Sequence, residues 1–136
     1  MVFMWPLAGK VEVAFAVDEL VYSKTMADWR THPGLDIAAA IGTKVLAVTD
    51  GIVIDVFADD MLGTTVIVDH GHGVRSSYAN LAAAPVVKVG DKIAMGSVIG
   101  AVGDTALGEI GQASHLHLEM TKDGDAENPV WYLPSR

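Results

Sequence analysis

The sequence predicts an all-β, antiparallel domain built as a sheet sandwich or barrel, and two features carry this prediction. Short β-branched runs such as "KVEVAFAV", "TTVIVDH" and "HLHLEMTK" recur along the chain, and the first alternates apolar positions with Glu or Ala as a half-buried strand does. Glycine-bearing turns such as "VTDG", "HGHG" and "KDGD" separate these runs. One helical turn is predicted, around "MADWR". Regular short strands broken by such turns are typical of antiparallel sandwiches and barrels.

Length and composition predict one globular domain over residues 1–136. The chain has 136 residues, of which 51% are hydrophobic and 19% charged. That is enough for one compact core and too little for two domains of ordinary size. Two stretches of the chain are weakly similar to each other, "AIGTKVLAVTDGIVIDV" and "KVGDKIAMGSVIGAVG". The second stretch resembles the hairpin of biotinyl and lipoyl carrier domains. Because "IAMGS" lacks their acceptor lysine, we interpret this hairpin as a structural element and do not expect a carrier function.

Charge and cysteine content exclude several functions. The 17 acidic and 9 basic residues leave a net charge of −8, which repels phosphate backbones and argues against a nucleic-acid partner. No apolar run approaches the roughly 20 residues that span a bilayer, and the N-terminus lacks signal-peptide character. We expect any export or anchoring segment to lie outside this sequence. Because cysteine is absent, a metal would need His and carboxylate ligands.

The stretch "SHLHLE" places two histidines and a glutamate at alternate positions. In a strand, His115, His117 and Glu119 share one face, while Leu116 and Leu118 point to the opposite, apolar face. Roughly 6.5 to 7 Å separates alternate residues, so one imidazole can bind a metal while the other reaches a bound water or substrate. The spacing leaves open which histidine does which. Taken alone, the pair also fits strand histidines engaged in ordinary hydrogen bonds.

A second polar cluster lies in "THPGLDI". Pro33 and Gly34 argue against a helix between His32 and Asp36, so we expect a turn that leads into a strand and brings both side chains to one point. Two histidines and one aspartate suit zinc, with a fourth position open to water as in catalytic sites. Without a partner histidine, His32 and Asp36 are equally typical of a polar turn. Residues 22–34 and 103–114 are predicted to be long irregular loops leading into these histidines.

In order along the chain, "HPGLD", "GTKVLAVTDGIV", "VIVDHGHGV", "KVGDKIAMGSVIGAVG" and "SHLHLE" resemble the LytM/lysostaphin-type zinc endopeptidases, which cut peptide cross-links in bacterial cell walls. The resemblance covers residues 30–120. It implies a lysostaphin-type fold (duplicated hybrid motif), in which an antiparallel β core carries the metal in a groove. It also implies Zn²⁺ held by His32, Asp36 and His117, with His115 acting on the water or the developing oxyanion.

The family pattern has a further catalytic histidine in a "Tyr-x-His-Leu" stretch, and this sequence has Asn80 there, in "SYANL". An asparagine amide can only exchange neutral hydrogen bonds, whereas a histidine can carry charge or move a proton. Loss of one such stabiliser typically costs about 100- to 1,000-fold in rate. Asn80 also fits an edge-of-strand residue that bonds a loop. The resemblance assigns no metal role to His70 in its "His-Gly" turn, and none is expected for His72.

Within the family, "YSKTMADWRTHPGLDIAA", "YANL" and "VWYLP" resemble the extracytoplasmic domains of the stage II sporulation protein Q group of clostridia-like bacteria. That resemblance implies stage III sporulation protein AH as a partner. It also implies an extracytoplasmic location, at the cell surface or between the forespore and mother-cell membranes. Two functions remain open: a zinc peptidase acting on peptidoglycan peptides with activity weakened by Asn80, or a zinc-binding interaction module that does not cut.

Overall fold

The computed structural model describes residues 1–23, 25–107 and 112–135. Within these ranges the backbone forms twelve β-strands and a short 3₁₀ turn at Pro129–Trp131. No helix in the described ranges has the length and apolar character needed to cross a membrane. In chain order the strands are β1 Val11–Val13, β2 Ala16–Ser23, β3 Asp28–His32, β4 Leu35–Ala38, β5 Lys44–Leu46, β6 Gly51–Asp59, β7 Gly63–Gly71, β8 Val74–Leu81, β9 Lys92–Ile93, β10 Val98–Ala101, β11 His115–Lys122 and β12 Asp125–Glu127.

Eight strands form one sheet in which every pairing is antiparallel. Its order is β1-β4-β11-β8-β7-β6-β9, and β12 pairs with β11 beside this path. The strands β5 and β10 form a separate two-stranded sheet, as do β2 and β3. The predicted all-β antiparallel class is confirmed. Among the described strands no closed barrel forms, because the large sheet ends at β1 and β9.

The core lies on the face of the large sheet opposite to His115 and His117, and it includes residues of the β5–β10 pair. Leu116 and Leu118 of β11 are fully buried there, together with Val45 of β5 and Ile99 of β10. Full burial of side chains of this size contributes about 1.5 to 3 kcal/mol each. The alternation in "HLHLEM" therefore fixes which face of β11 enters the core, as the sequence predicted.

The stretch from Lys10 to His32 differs from its prediction in two ways. The predicted strand "KVEVAFAV" breaks at residues 14 and 15, where the chain leaves the large sheet at Val13 and enters the β2–β3 hairpin at Ala16. The predicted helical turn in "MADWR" is wrong, because it falls on the hairpin turn and on β3. Ala27 has a φ of 54°, which a right-handed helix does not allow.

Cross-strand pairing explains why β3 prevails over a helix. Tyr22 lies opposite Trp29, and their rings meet edge to face with centroids 5.5 Å apart. Such aromatic pairs contribute about 0.5 to 1.5 kcal/mol beyond the area they bury. The predicted irregular loop over residues 22–34 is therefore mostly hairpin. In the other predicted loop, residues 103–107 and 112–114 contain no strand, and residues 108–111 lie outside the described ranges.

A hydrogen-bonded chain of side chains joins the β6–β7–β8 region from within. The backbone N–H of Val48 donates to the Tyr78 hydroxyl at 3.0 Å, and the Tyr78 and Ser76 hydroxyl oxygens are 2.7 Å apart. His70 Nε2 lies 2.7 Å from Ser76 Oγ, and its Nδ1 donates to the carbonyl of Asp50 at 2.7 Å. Because a carbonyl only accepts, Nδ1 carries the proton of the neutral ring and Nε2 accepts from Ser76. Burial raises the pKa of Tyr78 to about 12.

Because His70 belongs to this hydrogen-bonded series, we predict that the stability of the protein depends on pH. Burial lowers the pKa of His70 below its ordinary 6.5, despite the opposing effect of the Asp50 carbonyl. The unfolded chain then binds more protons than the folded one just below pH 6.5, so this contribution to stability is complete above that pH and declines as pH falls. We expect the free energy of unfolding, measured by urea titration, to fall more steeply between pH 7 and 5 in the wild type than in His70→Gln.

The exposed His72 supplies the matched control, since His72→Gln should keep the wild-type slope. Parallel pH profiles for the wild type and His70→Gln would contradict the assignment.

Candidate metal centre

The site begins with the pairing of two central strands of the large sheet. In the antiparallel register of β4 and β11, Asp36 lies directly opposite His117, and Ala38 lies opposite His115. Residues opposite one another in such a pair project from the same face of the sheet. The face of β11 that carries its histidines therefore meets the carboxylate of β4.

Three residues bring metal-ligand atoms together on this face. His32, Asp36 and His117 each offer one ligand atom, and these atoms lie within 4.8 Å of one another. Asp36 Oδ1 is 2.7 Å from His117 Nδ1, and Asp36 Oδ2 is 3.3 Å from His32 Nε2. Among the described residues this is the one group of three or more His, Cys, Asp or Glu side chains so arranged.

The chemistry of His32 fits a bound cation. Its Nδ1 lies 3.1 Å from the backbone carbonyl of Ala14, a pure acceptor, so Nδ1 carries the proton. Its Nε2 is buried and has no hydrogen-bond partner in the described structure. The lone pair on Nε2 thus faces a carboxylate oxygen, an arrangement that a cation between them stabilises. The donor set of two imidazoles and one carboxylate suits zinc.

Asp36 is a fully buried carboxylate at the centre of this cluster. Burial by itself raises its pKa, but the contact from the His117 ring outweighs that effect and holds the pKa of Asp36 well below its usual range. The side chain is therefore an anion at neutral pH. Gln112 Nε2 also donates to Asp36 Oδ2, at 3.1 Å.

Gly34 is required by the closeness of the turn to His117. A Cβ at this position would lie 2.7 Å from His117 Cε1, 2.8 Å from its Nε2 and 2.8 Å from the carbonyl oxygen of Leu118. Real Cβ atoms do not approach other atoms so closely. Any larger residue would push the imidazole out of its position, so the "PG" turn predicted from the sequence also makes room for the ring.

His115 lies beside the cluster in a defined orientation. Its Nδ1 is 2.7 Å from the carbonyl oxygen of Ala113, so Nδ1 carries the proton of the neutral ring. Its Nε2 then carries the lone pair and lies 3.8 Å from Asp36 Oδ2. This histidine is almost completely buried. It is thus a basic nitrogen at the edge of the cluster, where the sequence-based interpretation expects a non-ligand histidine.

Asn80 is a junction between three segments of backbone. Its side-chain amide donates to the carbonyl of His115 at 2.8 Å, and its Oδ1 accepts from the backbone N–H of Ala106 at 3.0 Å. Its own backbone N–H donates to Leu62, and its carbonyl accepts from Gly103, both at 2.8 Å. Both polar atoms of the side chain thus have backbone partners. The residue is buried and has a left-handed backbone with φ of 60°, which Asn tolerates better than most residues.

The centre opens into a cleft of about 200 Å³ beneath the β2–β3 hairpin. Its lining includes Tyr22 and Arg30 of the hairpin and Met61 and Leu62 of the β6–β7 turn. A larger open cleft of about 800 Å³ lies around His70 and Lys92, and it does not include the metal-ligand cluster. The smaller cleft is the one that gives access to His117.

The sequence-based site residues fall into two groups. His32, Asp36, His117 and His115 come together, and Asn80 lies behind His115 and bonds its backbone. The sequence-based interpretation gave Glu119 no role, although it placed this residue on the same strand face as His117, and that shared face was the signal of a possible contact. Gln112 was missed, because nothing in "GQASH" marks an amide that bonds a distant carboxylate.

An antiparallel β domain with a His/Asp/His cluster in a cleft of its sheet is of the metallopeptidase type. The chain belongs to peptidase family M23, whose model matches residues 30–129. It is 32% identical over 127 residues to the DD-carboxypeptidase/endopeptidase Mpg of Neisseria meningitidis serogroup B, covering 85% of this chain and 28% of that protein.

The chain is also similar to sporulation proteins. Stage II sporulation protein Q of Bacillus subtilis is 34% identical over 102 residues, which cover 74% of this chain and 35% of that protein. A solved structure of the SpoIIQ–SpoIIIAH pore-forming complex contains a chain that matches with a TM-score of 0.82 and 26% identity, over 97% of this chain and 90% of that one. The LytM-type resemblance is thus confirmed. This chain spans about a third or less of the length of the two curated relatives.

The bonds of Asn80 predict a measurable contribution to stability. We expect Asn80→Ala to lower the free energy of unfolding by about 2 to 4 kcal/mol, because two buried backbone groups lose their partners. Asn80→Gly should recover about 1 kcal/mol of that loss, since glycine adopts φ of 60° without a Cβ penalty. Urea denaturation measures both values.

Asn128→Ala is the matched control, because that side chain accepts one hydrogen bond, from the backbone N–H of Val130, at an exposed position. It should cost about 1 kcal/mol. If both Asn80 variants were as stable as the wild type, the hydrogen bonds of the Asn80 side chain would contribute nothing to the free energy of unfolding.

Proposed function

We propose that this protein is a zinc-binding LytM-type domain, made of residues 1–136, that hydrolyses peptide bonds of peptidoglycan with weakened activity. The observation that supports the zinc site most directly is the buried Nε2 of His32, which faces Asp36 without a hydrogen bond. In this proposal His32, Asp36 and His117 hold the ion. Zinc, when bound, supplies a Lewis acid that lowers the pKa of water from about 15.7 toward 7.

The remaining roles in the proposed reaction belong to side chains of the protein itself. His115 has its proton on Nδ1, held by the carbonyl of Ala113, and in this proposal its Nε2 takes the proton of the attacking water. The cleft beside the β2–β3 hairpin, lined by residues that include Tyr22 and Leu62, would receive the peptide.

Asn80 is the reason that we propose weak activity. In the sequence-based interpretation it replaces a catalytic histidine and supports the oxyanion through its amide. Because that amide donates to the carbonyl of His115, it is already engaged in the fold. A neutral amide in this position also cannot move a proton. The proposal for Asn80 is therefore mainly a positioning role for His115.

Peptidoglycan as substrate is supported by the family and by one relative's name. The matching Neisseria protein is named a DD-carboxypeptidase/endopeptidase, and the family is one of peptidases. A substrate in the cell wall also requires an extracytoplasmic location, which we propose here.

We predict one zinc ion per chain and slow release of peptides from purified peptidoglycan. Asp36→Ala should lose the zinc and all release, since it removes the central anion of the cluster. Asn80→His, if its thermal unfolding shows a folded protein, should raise release by about 100-fold, because a group able to exchange protons returns beside the site. Metal analysis after dialysis and mass spectrometry of released peptides measure these outcomes.

The matched control is His72→Ala, which removes an exposed histidine and should leave both zinc content and release unchanged. Zinc content near zero in the wild type after loading would sink the proposal. Zinc binding without release from either the wild type or Asn80→His would leave the interaction module as the function.

The second candidate function is a zinc-binding module of the sporulation channel that binds stage III sporulation protein AH without cutting. It is favoured by the likeness to a SpoIIQ chain solved in complex with SpoIIIAH, over 97% of this chain. The engagement of Asn80 in the fold also favours a role that does not require hydrolysis.

In this second function, purified SpoIIIAH should bind the wild type, and if the contact uses a strand edge and not the metal cleft it should bind Asp36→Ala equally well. Isothermal titration calorimetry measures this directly. Loss of binding in Asp36→Ala with an intact fold would make the cleft itself the contact, and no binding to the wild type would exclude this function.

A further inference from the structure

The imidazole of His117 lies between two carboxylates. Its Nδ1 is 2.7 Å from Asp36 Oδ1, and its Nε2 is 2.8 Å from Glu119 Oε2. The histidine is almost fully buried, whereas the side chain of Glu119 is 22% exposed at the cleft. The two residues are two positions apart on β11, so their side chains leave the same face of the strand.

The contact with Glu119 determines which nitrogen of His117 carries a proton when the other binds a cation. A carboxylate oxygen accepts, so the bond at 2.8 Å requires a proton on Nε2. Nδ1 faces Asp36 Oδ1 at 2.7 Å, so it also carries a proton while no cation is bound, and it is the nitrogen that can give up its proton and offer a lone pair to a cation. A carboxylate that holds the far nitrogen of a metal-binding histidine in this way fixes both the tautomer and the orientation of the ring.

The turn at Gly34 supports the same orientation from the other side. The space that a Cβ of Gly34 would fill is taken by Cε1 and Nε2 of His117, so the ring edge packs against the bare glycine backbone. A ring turned over about its Cβ–Cγ bond would lose the Glu119 bond and place Nδ1 away from Asp36. Packing by Gly34 therefore confines the plane of the ring, and the Glu119 bond selects between its two flipped orientations.

We infer that Glu119 is a positioning residue that presents Nδ1 of His117 to a metal ion held with His32 and Asp36. This inference rests on the proposed zinc site, and it gives a role to a carboxylate that does not itself belong to the cluster. Glu119 touches neither Asp36 nor His32 by a described hydrogen bond, so its effect on the ion passes through His117.

The test measures the affinity of the full chain for zinc alone, by competition with a chromophoric chelator. Glu119→Ala should bind zinc about 10- to 100-fold more weakly than the wild type, the usual effect of losing such a partner. Glu119→Gln should recover most of that loss, because its amide oxygen still accepts from Nε2. Glu19→Gln, the same change at an exposed position of β2, is the matched control and should bind like the wild type.

A second readout separates positioning from a general structural effect. In ¹⁵N-resolved spectra of the zinc-loaded protein, His117 should carry its proton on Nε2, and that proton should exchange with water faster in Glu119→Ala than in Glu119→Gln. Thermal unfolding of the metal-free proteins should be similar for the Ala and Gln variants.

The outcomes also distinguish this inference from the zinc site itself. If Glu119→Ala binds zinc as tightly as the wild type while His117→Ala loses it, the inference is overturned and the site stands. If His117→Ala also binds zinc like the wild type, the proposed site and this inference fail together.

Discussion

The pairing of Asp36 with His117 across β4 and β11 is the interaction on which the site depends. A carboxylate without solvent access in the middle of a sheet is costly unless its charge is matched, and here His117 meets it at 2.7 Å. Breaking such a buried pair from one side typically costs about 3 to 5 kcal/mol. The register of two central strands thus carries both the stability of the sheet centre and the geometry of the candidate metal centre.

The other features of the site follow from holding this pair in place. Gly34 allows the turn before β4 to pass close to the His117 ring, and Glu119 occupies the far nitrogen of the same ring. His32 reaches the cluster from the β2–β3 hairpin, with its orientation set by the carbonyl of Ala14. A metal centre of this type therefore draws on three separate segments of the sheet and hairpin, and each contributes backbone or side-chain groups that fix one ring.

Asn80 connects this centre to the loops around it. Through its side chain it bonds the strand end at His115 and the loop at Ala106, and through its backbone it bonds Leu62 and Gly103. In the sequence-based interpretation, the same residue is where the chain departs from the peptidase pattern. A side chain with two backbone bonds stabilises the neighbourhood of His115 but has little capacity left for a substrate, which is why weakened hydrolysis and a non-cutting module are the two functions consistent with it.

Patterns local to a strand were enough to predict the β class, the inward leucines of β11 and the shared face of His115, His117 and Glu119, because side-chain alternation depends only on position within a strand. The sequence by itself also marked His32 and Asp36 as one polar turn. Only the tertiary structure decided the break after Val13 and the hairpin in place of a helix at "MADWR", since both depend on pairing with distant residues. It likewise decided that Asn80 and Gln112 bond partners 35 and 76 residues away, because hydrogen bonds between distant segments leave no periodic trace in a single sequence.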